Sequence, residues 1–227
     1  LPIIDAISEF LTNHPSETLL LDFQHFENDG SMEGVDSLLN EKLNGKLVVN
    51  DTEKSDLQFA KELTVGAARG KAMVFWGNYF KNTSECEYIN GRNYLFARNN
   101  DAGTRTGSAL HSFYKGTLNR LASKTYLKKA IPEYVEQFRQ SNGGFFVMQM
   151  QLTDPIVIIG PKFYEGTHNK NASSFVKSLK DKEYFDVVNI VMRDYIGAEK
   201  CKEIIALNEY KGTVKPSMSD EFASKCA

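Results

Sequence analysis

The feature that most restricts the fold is a recurring unit. A short run of apolar, mostly β-branched or aromatic residues is followed by a polar break and then a helical pattern. Four runs stand out, at residues 18–23, 72–76, 145–151 and 187–193, with a weaker one at 94–97. They are apolar at successive positions rather than alternate ones, as in strands covered on both faces. Helical spacing fills the intervals. On 3–13, Ile3, Ile4, Ile7, Phe10 and Leu11 share a face, with Pro2 suited to the first turn. On 33–43 the stripe is Val35, Leu38, Leu39 and Leu43. Further helices are expected at 57–64, at 111–139 in two pieces divided at Pro132, around Phe175, Val176 and Leu179, and at 198–208. Leu47 to Val49 is a short extended piece, and Gly143-Gly144 is a stop.

This order predicts an α/β fold with a parallel sheet covered by helices. About five strand–helix units are legible, whereas a closed (β/α)8 barrel has eight. The chain also opens on a helix. The expectation is a single domain over 1–227 that supplies roughly strands 4–8 of such a barrel. The earlier strands are expected on a separate amino-terminal fragment.

Charge excludes some partners. Twenty-seven basic residues stand against 29 acidic ones, so no net basic field draws nucleic acid or an anionic membrane. No apolar stretch reaches membrane-span length. Leu1-Pro2-Ile3-Ile4, without an initiator Met, reads as the start of a processed or truncated chain whose true start lies upstream. Three glycosylation sequons begin at Asn50, Asn82 and Asn171 and point to a secreted glycoprotein. In that compartment Cys201 and Cys226 are the expected disulfide, leaving Cys86 free or paired outside the chain. The polar stretch 77–107 is long for a loop and reads as functional or mobile.

The last run, Val187-Val-Asn-Ile-Val-Met-Arg-Asp194-Tyr-Ile-Gly197, ends on an acidic residue and a glycine. A late strand of a parallel barrel delivers catalytic side chains in this way, because such active sites lie at the carboxyl ends of the strands. The plainer alternative is a buried strand followed by a solvated Asp in its loop.

Several segments, in order, resemble one family. His14-Pro-Ser-Glu-Thr-Leu-Leu-Leu-Asp-Phe-Gln-His-Phe26 resembles the fourth-strand segment of phosphatidylinositol-specific phospholipase C X-domain proteins. Ala68-Arg-Gly-Lys-Ala-Met-Val-Phe75 is similar to their fifth strand. Residues 145–154 are similar to their seventh strand, and 188–196 to their eighth. The small single-domain bacterial and animal forms are nearest in type, and 77–110 does not align.

The resemblance implies a phospholipase C-like phosphodiesterase on a TIM-type barrel. The inositol 2-hydroxyl would displace diacylglycerol, giving a cyclic phosphate and placing the protein in lipid metabolism. Such a reaction needs a base, an acid and positive charge at phosphorus. Asp194 falls where the family's last strand carries the Asp that orients the base histidine. The two catalytic histidines are expected upstream of Leu1, so this chain alone is not expected to turn over substrate. None of His14, His25, His111 and His168 sits in the family's histidine motifs. His14 reads as structural, His111 and His168 as surface residues, and His25 as a pocket candidate.

Gln24 stands where bacterial relatives carry a headgroup-binding Lys and calcium-dependent ones a Glu. It can bond inositol hydroxyls but is a poor calcium ligand, so no cofactor is expected and calcium is the disfavoured alternative. Trp76-Gly77 replaces an Arg and offers an aromatic face for a sugar-like ring. Gln149 and Asp22 are lesser candidates. The partners expected are the amino-terminal fragment, a phosphoinositide or related lipid and, peripherally, a membrane, with no nucleic acid. The rival reading is an inactive secreted lipid- or inositol-binding or structural protein. A glycerophosphodiesterase or sphingomyelinase-type enzyme would need clustered Glu and Asp around magnesium, and the sequence has no such cluster.

Overall fold

The structure is a computed structural model of the chain and describes residues 2–24, 29–77, 91–99, 108–113, 123–141, 143–152 and 161–211. Two compact bodies are distinguished, one of 1–111 with 141–145, the other of 112–140 with 146–227.

The first body begins with helix α1 (Pro2–Asn13), strand β1 (Leu19–Phe23) and helix α2 (Asp29–Lys42). Short helices α3 (Asp56–Glu62) and α4 (Val65–Ala68) follow, with side-chain caps from Ser55 and Thr64. Strands β2 (Ala72–Trp76), β3 (Leu95–Asn99) and β4 (Leu110–His111) complete it. Every pairing is parallel, in the order β1-β2-β3-β4. Leu47 adds an isolated parallel bridge to Ala72.

One sheet face packs on the helices. Ala72, Val74, Trp76 and Leu95 share a core with Ile4 and Leu11 of α1, Leu39 of α2 and Leu43 just beyond it. The alternate residues Met73, Phe75 and Phe96 fill the other face, with Phe96 stacked on Phe59 and Phe75 edge-on to Phe145. All of these β2 and β3 side chains are 0–1% exposed, and burial of each Val, Leu, Met or Phe among them contributes about 1.5–3 kcal/mol. Helix α1 carries no basic residue in its own last turn. Lys46 supplies one, its Nζ donating to the Ser8 carbonyl and hydroxyl and to Thr12 Oγ1.

In the second body, helix α5 (Ser123–Thr125) runs into a π-helical turn (Tyr126–Ala130) and then helix α6 (Ile131–Gln140). The division expected at Pro132 takes the form of this widened turn. Proline lacks an N–H, so one α-type bond is missing there and the register changes just before it. Strand β5 (Phe145–Gln149) begins in the first body and continues here. Helix α7 (Pro161–Ser178), strand β6 (Ile190–Met192) and helix α8 (Ala198–Ile205) follow. β5 and β6 pair in parallel, Val147 against Ile190 and Gln149 against Met192. The core joins Leu127, Ile131, Val135 and Phe138 to Phe146, Met148, Val176 and Leu179.

The α/β class with parallel strands agrees with the sequence expectation, and three details are corrected. His111, expected as the start of a helix, instead belongs to β4, a two-residue strand too short to leave a period in the sequence. β1 was expected to be buried but alternates half-buried and exposed, with Leu20 40% exposed. β6 is three residues long, because a 3-10 turn (Phe185–Val187) precedes it and Tyr195 turns at φ 48°. Among the described residues no helix is long and apolar enough to cross a membrane.

Gly144 has φ +94°, and a Cβ on it would lie 2.5 Å from the Ala109 carbonyl oxygen, the acceptor of the Phe145 N–H. Gly34 lies on α2 with open space around it. Gly144→Ala is therefore expected to lower stability by about 2–4 kcal/mol. Gly34→Ala is expected to raise it by about 0.5–1 kcal/mol. Urea unfolding of the two variants measures both signs.

Candidate functional site

Two polar sets lie at carboxyl ends of parallel strands, one in each body. In the first, the Arg98 guanidinium pairs with Asp22, Nε to Oδ1 2.6 Å, although the Arg98 side chain is only 1% exposed. β1 and β3 flank β2, so the pair reaches across β2. Gly77, just past the end of β2, makes that passage possible, since a Cβ there would come within 2.5 Å of Arg98 Cγ. Gln24 extends the set, its Nε2 donating to Asp22 Oδ2 at 3.3 Å.

Trp76 belongs elsewhere. It sits on the helix-facing side of β2 at 0% exposure, tilted against Phe23 with centroids 5.8 Å apart. The aromatic face expected for a sugar ring is thus occupied by core packing. Strand alternation gives the other side to Phe75 and Gly77.

In the second body, Gln149 at the end of β5 is 9% exposed. Its Nε2 donates to Ser112 Oγ at 2.6 Å, and its carbonyl accepts from Tyr126 Oη at 3.0 Å. Gln151 Nε2 donates to Gln149 Oε1 at 2.9 Å and reaches Met192 Sδ at 3.5 Å. Arg193 turns the opposite way. Its guanidinium is held by Asn169 and Ser173 of α7, with Nη2 at 2.6 Å from Asn169 Oδ1, and by Glu203 of α8. Burial opposes the charge of Glu203. Hydrogen bonds from Ser173 and Arg193, helped by the charge of Lys177, nevertheless hold its carboxyl below the usual range. With Arg193 directed at the helices, Met192 falls to the side of Gln149 and Gln151. Asp194 is half-buried in the turn after β6, and its carbonyl accepts from Lys200 Nζ at 3.2 Å.

Two histidines expected at the surface are buried. His168 is 6% exposed, and its Nε2 faces the Met150 carbonyl, which can only accept, so that nitrogen carries the proton. Its Nδ1 then accepts from Ser123, 2.8 Å away, whose oxygen accepts from Asn171 Nδ2 at 3.0 Å. His111 is 0% exposed, with Nε2 3.0 Å from the Ser108 carbonyl, and Ser141 Oγ lies 3.2 Å from the same nitrogen. The period did not reveal either burial, because each histidine is covered by residues distant in sequence. His14 is exposed and packs on Phe10.

Of the sequon residues, Asn50 is 9% exposed, its Nδ2 bonded to the Lys54 carbonyl and its Oδ1 to Thr52. Asn171 is half-buried on α7. Cys201 is a half-buried thiol. His25, Asn82, Cys86 and Cys226 lie outside the described residues. Among the described residues no three His, Cys, Asp or Glu side chains converge as a metal site would require.

Arg98, Gln151 and Ser112 were missed as site residues. Arg98 carried the same signal as Asp194, an ionisable residue at the end of an apolar run. The strand continues through it to Asn99, two residues beyond the expected end.

Burial lowers the pKa of His111 from the ordinary 6.5, against the hydrogen bonds that its ring makes to the Ser108 and Gly143 backbone. As pH falls through 6.5 the unfolded chain takes up this proton before the folded one does. Stability is therefore retained above that pH and falls below it, by up to about 1.4 kcal/mol per pH unit. Urea unfolding between pH 7.5 and 5 is expected to show this slope, and His111→Gln to flatten it.

No protein-family model matches this chain, and no curated protein matches it.

Proposed function

We propose that the chain is the later part of a phosphatidylinositol phospholipase C-like phosphodiesterase, a (β/α)8 barrel completed by an amino-terminal fragment with the catalytic histidines. The observation that carries this reading is the position of Asp194. It follows β6, the last strand among the described residues, at its carboxyl end, half-buried in the turn. In this reading the Asp194 carboxylate holds the base histidine in the tautomer that accepts the inositol 2-hydroxyl proton, as the carboxylate of a catalytic triad does. The hydroxyl oxygen attacks phosphorus, diacylglycerol leaves with a proton from the second histidine, and a cyclic inositol phosphate forms.

Arg98 supplies a cation close to where the family resemblance expected one, carried on the next strand and laid over Gly77. Six parallel strands among the described residues are compatible with part of such an eight-stranded wheel, the rest of which the amino-terminal fragment would supply in this reading. The reaction runs without a cofactor in this reading, and calcium is the disfavoured alternative. The protein would be a secreted glycoprotein that meets its lipid at a membrane surface.

One observation favours a non-catalytic, lipid- or inositol-binding barrel instead. The Gln24 amide is turned back onto Asp22, where a catalytic relative would present charge. Turnover of phosphatidylinositol vesicles by the intact assembly decides between them. Asp194→Asn is expected to lower kcat by about 10³–10⁴-fold with its urea midpoint unchanged. Equal turnover in the variant removes Asp194 from the mechanism, and no turnover in the parent protein favours the binding role.

A further inference from the structure

In the second body, an open groove of about 890 Å³ lies between α7 on one side and α5 with the π-helical turn on the other. Its lining comes from helices and from the segment after α7. No described strand residue reaches it, so it is separate from the polar sets at the strand ends.

One wall is a single face of α7, with Lys170, Ser174 and Ser178 at four-residue spacing. A 3-10 turn (Leu179–Asp181) carries that wall on to Lys182. At ~1.5 Å per residue in the helix and ~2 Å in the turn, Lys170 and Lys182 stand roughly 20 Å apart. Lys124 and Lys128 line the opposite wall. These four lysines meet two carboxylates in the lining, and one of those, Asp181, lies 3.3 Å from Lys180. Cations spread over that length match a row of anionic groups better than a single phosphate or sulfate.

The groups between the cations narrow the ligand. Ser174 Oγ donates to the Lys170 carbonyl at 3.0 Å and Ser178 Oγ to the Phe175 carbonyl at 2.8 Å. Each hydroxyl proton is thus committed to the helix, and its oxygen is left to accept. Burial raises the pKa of half-buried Tyr184, which stays a neutral hydroxyl able to donate. Leu127 and Phe175 give the floor an apolar surface. A matching chain carries anions, O–H donors and C–H faces together, as a sulfated sugar polymer does. Carboxylate side chains of an acidic peptide bring charge without O–H. A bilayer presents a plane, and no described residue of the concave lining is an exposed large apolar side chain that could anchor in it. Asn171 also lines the groove. A glycan joined there would need its Nδ2 withdrawn from Ser123 Oγ, 3.0 Å away and 1% exposed, so the lining is built to be left open.

We infer that this groove binds a linear sulfated polysaccharide, with Lys124, Lys128, Lys170 and Lys182 on its sulfates and the serine oxygens on its hydroxyls. The inference goes beyond the phosphodiesterase reading and does not depend on it.

The test is calorimetric titration of the intact protein with a heparin hexasaccharide at two salt concentrations. The double variant Lys128→Ser, Lys170→Ser is compared with Lys129→Ser, which removes an exposed lysine from the same turn but outside the lining. Lys128 and Lys170 are exposed, so the double variant should keep the parent's thermal midpoint. It is expected to bind the hexasaccharide about tenfold or more weakly, with the slope of log affinity against log salt reduced by about two, while Lys129→Ser stays within about twofold. No binding by the parent protein overturns the inference. An equal loss in Lys129→Ser reduces the effect to net charge and overturns the groove. Polyglutamate or phosphatidylserine vesicles that displace the hexasaccharide at equal charge make the site a general anionic or peptide surface, and overturn the polysaccharide.

Discussion

The two-residue alternation of a strand covered on both faces governs what this protein can present. Each residue must face either the covering helices or the opposite side of the sheet, and a neighbour is forced the other way. On β2 this sends Trp76 into the helix-facing core and leaves the next position, Gly77, on the other side. At the end of β6 it sends Arg193 to α7 and α8 and leaves Met192 opposite. The chemistry at the strand ends depends on these assignments more than on the residue types themselves.

Charge placement follows from the same rule. Arg98 is tolerated at 2% exposure because Asp22 meets it, and the pair forms because a glycine leaves the span between them clear. A buried guanidinium without such a carboxylate would be strongly destabilising. The buried chain from Asn171 through Ser123 and His168 to the Met150 carbonyl gives every member a role and ties α7 and α5 to the residue following β5. In the set of Ser112, Gln149 and Gln151, Gln151 Oε1 finds no partner among the described residues.

Much of the scaffold was legible from the chain itself. β2 and β5 are runs whose both-face apolarity has one structural solution, and α1 and α2 follow their apolar spacing, whereas of α7 only the end at Phe175 and Val176 was marked. The position of Asp194 was legible as a break at the end of an apolar run. Other features were not. Leu110 and His111 form a strand only because β3 lies beside them, with Arg98 against Leu110 and Asn99 against His111. Gln149 was visible as a polar residue ending a strand, but its partners Ser112 and Gln151 were not, since hydrogen-bond partners leave no mark on periodicity.

Sequence by itself determined the class, parallel strands alternating with helices, because local apolar patterning fixes which segments bury which faces. It also placed an acidic side chain just beyond the last strand. Only the tertiary structure decided that Trp76 is core rather than an open surface, that His111 and His168 are interior, and that Arg98 crosses Gly77 to reach Asp22. Those outcomes depend on contacts between segments tens of residues apart, where space and charge are settled by what arrives from elsewhere in the fold.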